Sequence, residues 1–151
     1  MIFLALSLGL ASCGNNGNDP SQEDRKDGYS EKPASPEDSL FHEVMEGHDS
    51  AMAKMGKLSG AIKAVRLRRD SLVRVGARSG NSDLITATNL EKELTLSETA
   101  MNDWMEHFNV DSATDNEAVR LKYLESEIGK VNKVKDQMFS ALGKADSLLK
   151  K

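Results

Sequence analysis

From Ser35 onward, apolar residues recur at three- and four-residue steps, the spacing of one helix face rather than the alternation of a strand. The first stripe reads Phe41, Met45, His48, Met52, Met55, Ile62, Val65 and Leu72. Ser35 suits an N-cap, Pro36 the first helical position, and Glu37 and Asp38 the positive end of the helix dipole. Gly76 and Ser79-Gly80-Asn81 stop the run. A second stripe, Leu84, Ala87, Leu94, Met101, Trp104, Met105 and Phe108, starts near Ser82 and ends before Asn109. Thr114 and Glu117 have capping-box spacing. They precede a third stripe: Val119 or Leu121, Leu124, Ile128, Val131, Val134, Met138, Leu142, Ala145 and Leu149.

The pattern predicts an all-α fold of three long helices, at about 36–76, 82–108 and 115–150. Short turns make successive helices antiparallel, so the expected architecture is an up-down-up bundle with coiled-coil-like crossing angles of about 20°. Gly56 and Gly60 interrupt the first helix and cost about 2 kcal/mol against alanine. The stripe passes through them in phase, which favours one continuous helix of about 60 Å. Gly47, Gly56 and Gly60 are small enough to admit a close helix neighbour, or are simply tolerated. The start of the first helix and the end of the third are expected to overhang the bundle, leaving apolar surface for a protein partner or a second copy.

The segment before Ser35 has a different composition. Met1 to Leu10 is apolar but too short to span a bilayer, which takes about 20 residues. It matches the apolar core of a secretory signal, and small Ala11 and Ser12 suit a cleavage point, giving a signal peptide over residues 1–12. No Lys or Arg precedes Cys13, a departure from the usual basic opening. Residues 14–35 are rich in Gly, Asn, Ser, Pro and charge, with Tyr29 the one large apolar side chain. Such a stretch buries too little to offset its chain entropy. It reads as a linker with a reach on the order of 25 Å.

Composition narrows the function. The net charge of −4 makes nucleic acid a poor partner. Cys13 is the single cysteine, which excludes an intrachain disulfide and a cysteine zinc cage. There is no Gly-rich phosphate loop, HExxH or Glu-x-x-His carboxylate set. A non-enzymatic role is therefore expected. The basic run Lys63, Arg66, Arg68, Arg69, Arg74 and Arg78 reads as a solvated face, with Arg69 close enough to the apolar stripe to snorkel or pair with an acid of the third helix.

Met45, His48, Met52 and Met55 share one face, and the turn brings Met101, Trp104 and Met105 alongside Met52 and Met55. Thioethers and imidazole are soft ligands suited to Cu(I). The competing reading is packing: methionine fills helical cores and favours aromatic neighbours. His48 would then be structural, bonded to Asp111, Ser112 or a loop carbonyl. Asp49 projects about 100° away from His48 round the helix, so the two are not expected to form a dyad. His42 lies on the more polar side, as do Glu43 and Glu46, and all three are expected to be solvated.

Leu10-Ala11-Ser12-Cys13 resembles the lipobox of bacterial lipoproteins. That resemblance implies removal of the signal segment and lipidation of Cys13 with a diacylglyceryl group and an N-acyl chain. Two or more chains anchor firmly where one does not. Three further blocks are Phe41-His42-Glu43-Val44-Met45-Glu46-Gly47-His48-Asp49-Ser50-Ala51-Met52-Ala53-Lys54-Met55, Ala100-Met101-Asn102-Asp103-Trp104-Met105, and Tyr123-Leu124-Glu125 running to Val134. With the lipobox, they resemble small Bacteroidetes lipoproteins labelled "viral A-type inclusion protein". The resemblance implies a helical protein of the cell envelope, lipid-anchored to the inner or outer membrane, without implying an activity. The function expected is a structural or interaction module. The alternative is an envelope copper-binding bundle that uses Met45, His48, Met52 and Met55.

Overall fold

The computed structural model describes residues 33–150. The expected signal peptide, Cys13 and most of the linker lie outside the described residues. Within them the chain is a helical bundle of four segments: α1 (Pro36–Met52), α2 (Met55–Arg74), α3 (Ser82–His107) and α4 (Glu117–Leu149).

The caps explain most of the boundaries. The Ser35 hydroxyl accepts the Asp38 N–H at 3.0 Å, with Pro36 next, as the sequence predicts. Asn81 caps α3 by accepting the Leu84 N–H at 2.9 Å. The α4 cap is Asn116, which accepts the Val119 N–H, rather than Thr114. At the end of α2, Ala77 N–H bonds Leu72 C=O and Gly76 N–H bonds Val73 C=O, with Gly76 at φ +86°. This is a Schellman closure, and glycine takes its left-handed position without a Cβ penalty. Ala113, in the α3–α4 connection, adopts φ +58° without that freedom.

The expected single helix over 36–76 is divided at Ala53 and Lys54. Ala53 N–H still reaches Asp49 C=O four residues back, but Lys54 N–H reaches only three back, to Ala51 C=O. The ladder tightens and restarts at Met55, without a side-chain cap on Lys54. The break falls on two good helix formers, Ala53 and Lys54, and the weak formers Gly56 and Gly60 follow it inside α2.

The core also sits about one residue round the first helix from the expected stripe. Its centre is Val44, Gly47, Ala51 and Leu58; Met45, His48 and Met55 are half-buried and Met52 is exposed. The reason is the close approach of α1 to α4. A Cβ on Gly47 would lie 3.0 Å from Val131 Cγ1 and 3.1 Å from Asn132 Oδ1. Small residues occupy the line of contact and methionines flank it. Gly56 and Gly60 face open space and serve no such approach. From α3, Ala87, Leu90, Leu94, Met101 and Trp104 are buried. From α4, Leu124, Val131, Met138, Ala141, Leu142 and Ala145 are buried, whereas Val119 and Leu149 are exposed.

Polar contacts fix which levels meet. Along α4, Arg120 bonds Glu37 of α1, and Asp146 bonds Lys57 of α2. Along α3, Glu98 accepts from Ser59 and Glu91 pairs with Arg66 and Arg69. Between α3 and α4, Trp104 bonds Glu127 and Glu93 bonds Lys144. The start of α1 is therefore tied to α4 by Glu37 and does not overhang as expected.

Candidate functional site

The densest cluster of chemistry-bearing side chains lies where α1 meets the end of α3 and the start of α4. Trp104 and Phe108, one helical turn apart on α3, stack at 4.9 Å between ring centroids. Phe108 is also 6.3 Å from Phe41 of α1 and 6.1 Å from Tyr123 of α4. Such separations are those of favourable aromatic pairs. The Tyr123 hydroxyl accepts the Asn109 N–H at 2.8 Å, pinning the chain as it leaves α3.

Buried charge is threaded through this cluster. The Trp104 indole N–H donates to Glu127 Oε2 at 2.9 Å, and Lys130 Nζ donates to Glu127 Oε1 at 2.6 Å. The hydrogen bond to Glu127 raises the Lys130 ammonium above its ordinary value. Arg120 is nearly fully buried; its guanidinium donates to Glu37 Oε1 and to the Ser112 carbonyl and lies 6.0 Å from the Tyr123 ring centroid. A further set joins α2 to α3, where the buried Glu91 accepts from Arg66 at 2.8 Å and from Arg69 at 2.6 Å. Arg69 is raised above its ordinary value first by its hydrogen bond to Asp70 and then by the charge of Glu91. Its acidic partner on another helix is thus in α3, not in the last helix as expected.

His48 stands at the rim of the aromatic cluster. Its ring centroid is 5.8 Å from that of Trp104, and its Nε2 is 3.4 Å from Met105 Sδ. Nδ1 is 2.9 Å from Asp49 Oδ1. This overturns two expectations. Asp49 does pair with His48, because the carboxylate reaches back along the surface to its neighbour. The partners of the ring are Asp49 and Met105, not Asp111, Ser112 or a loop carbonyl. His42, expected to be solvated, is half-buried, whereas Glu43 and Glu46 are exposed. His107 Nδ1 lies 2.7 Å from the Asp103 carbonyl.

The four residues singled out as soft ligands therefore divide. Met45 and Met55 pack half-buried against the core, Met52 faces solvent, and His48 turns toward Met105. Met105, expected level with Met52 and Met55, lies level with His48 instead. Met101 is wholly buried as a core side chain. Among the described residues, no group of three or more His, Cys, Asp and Glu side chains is placed to hold a metal ion. No described helix is long and apolar enough to cross a membrane.

Glu91, Arg120 and Glu127 are the structurally decisive residues that the apolar pattern passed over. Each falls on the buried face at helical spacing, Arg120 and Glu127 seven residues apart on α4. That in-phase charge was the available signal. No family model, curated protein or solved structure matches this chain.

Proposed function

We propose that the chain is a lipid-anchored, non-enzymatic helical module of the bacterial cell envelope, working through protein contacts at a membrane face. The observation that carries this reading is the order of parts along the chain. An apolar segment ends in Leu10-Ala11-Ser12-Cys13, a polar stretch follows, and a folded helical domain begins at a capped helix start at Ser35-Pro36. Lipid on Cys13 would supply the anchor, and a linker of roughly 20 residues would hold the domain off the surface. The resemblance to small Bacteroidetes lipoproteins points the same way.

The topology belongs to this proposal. The pairs Glu37–Arg120 and Lys57–Asp146 ascend together along α1, α2 and α4. Ser59–Glu98 and Arg66–Glu91 run in opposite senses, as do Trp104–Glu127 and Glu93–Lys144. An up-down-up bundle, with α1 and α2 as one bent rod, accounts for all of them. In this bundle the charged and aromatic side chains serve as joints between helices.

Cross-linking on intact cells tests the interaction role. The expected result is a discrete adduct, either with one envelope protein or with a second copy. A chain that gives no adduct while folded and membrane-bound would contradict it.

A further inference from the structure

Beyond the module reading, we propose that His48 and Met105 form the base of a binding site for a soft monovalent cation of the Cu(I) class. A carboxylate only accepts hydrogen bonds, so the 2.9 Å contact with Asp49 Oδ1 places a proton on His48 Nδ1. In the neutral imidazole, Nε2 then presents a lone pair. What faces it at 3.4 Å is Met105 Sδ, which also offers only lone pairs. Two atoms of the kind that ligate soft metals thus converge at 3.4 Å, a distance that an N–H···S hydrogen bond from a doubly protonated ring also spans. When the ring is neutral, a soft cation satisfies both at once.

The geometry suits an ion with more than two ligands. With metal–nitrogen and metal–sulfur bonds of about 2.0 and 2.3 Å, a 3.4 Å separation subtends an angle of about 100° at the ion. That angle is close to tetrahedral and leaves room for further donors. Met45 and Met52 lie one turn to either side of His48 on α1, at the spacings that make helix neighbours. Met45 is half-buried and Met52 is exposed, so the ion would be approached from solvent and backed by Trp104. Imidazole with thioethers selects Cu(I) over oxygen-seeking divalent ions. Asp49 acts as a positioning residue, holding the ring in the tautomer that bares Nε2. This set differs from the sequence-based one in its centre: Met105 replaces Met55.

Trp104 is the only tryptophan, and it lies against the imidazole, so its fluorescence reports on the site directly. The experiment titrates Cu(I), under reducing and anaerobic conditions against a chromophoric Cu(I) chelator, into the full chain carrying Cys13→Ser so that no thiol competes. The expected result is saturable quenching at one equivalent. Affinity should fall at least about tenfold in His48→Ala and in Met105→Leu, and by a similar factor in Asp49→Ala, as loss of an outer-shell partner commonly does. Met101→Leu, in the core, should bind like the parent. Met105→Leu conserves volume and decides the matter alone if circular dichroism shows His48→Ala unfolded. Absence of quenching in the parent, parent-like affinity in Met105→Leu, or equally tight binding of Zn(II) would each overturn the proposal. None of these outcomes bears on membrane anchoring.

Discussion

The indole N–H of Trp104 donates to the carboxylate of Glu127 at 2.9 Å, in a place where both side chains are almost fully buried. This joins α3 to α4 at the level where α1 also packs through Phe41 and His48. A buried carboxylate is costly unless its oxygens are bonded. Here Trp104 serves one oxygen and Lys130, whose ammonium remains largely in solvent, serves the other.

The bond predicts a specific pattern of stability loss. Glu127→Leu should cost about 1–3 kcal/mol, because the indole N–H is left buried without an acceptor. Trp104→Phe should cost a similar amount or more, through the bereft carboxylate and the lost ring area. The double variant should cost less than the two singles together, since each single strands a partner that the double removes. Urea unfolding of the four proteins checks this; strict additivity would show that the bond is energetically idle.

The glycines of α1 and α2 should respond in opposite senses. Gly47 lies where α1 touches Val131, so Gly47→Val should overpack the contact and cost about 1–3 kcal/mol. Gly60 is inside α2 with open space around its Cα, so Gly60→Ala should stabilise by about 1 kcal/mol through helix propensity. Thermal or urea unfolding measures both. Equal signs would mean that the α1–α4 contact is looser than described.

Lys57 and Asp146 provide a pH-dependent strap between the start of α2 and the end of α4. The hydrogen bond from the Lys57 ammonium holds the Asp146 carboxyl below its ordinary value. A depressed carboxyl favours the folded state above its unfolded-state value and loses that contribution as pH falls through the folded-state value. Both side chains are about half exposed, so the increment is small and screened by salt. Lys57→Met should move the Asp146 titration up to the ordinary carboxylate range, as read by NMR of the side-chain carboxyl. It should also remove the acid-side increment. An unchanged titration would mean that the pair does not persist in solution.

Much of this architecture was legible in the chain. Ser35-Pro36 marked the first helix start, Ser82 and Asn109 bracketed α3, and the stripe through Leu124, Val131, Met138, Leu142 and Ala145 marked α4. The rotation of the first stripe was not legible, because large apolar residues draw attention while a close helix contact selects small ones. Val44, Gly47 and Ala51 carry the contact that Met45 and Met52 seemed to claim. The break at Ala53-Lys54 was hidden because both residues are good helix formers and the stripe stays in phase across it. The Trp104–Glu127 and Arg69–Glu91 joints depend on which helices face each other, which spacing along one helix does not reveal. Cys13 and the segment around it lie outside the described residues, and their reading rests on sequence.

Cys13→Ala tests whether a lipid on this residue holds the protein at the membrane. Cells expressing the parent and the variant would be separated into membrane and soluble fractions. The parent is expected in the membrane fraction, released by detergent, and the variant in the soluble fraction. Retention of the variant on the membrane as tightly as the parent would contradict a lipid attached at Cys13.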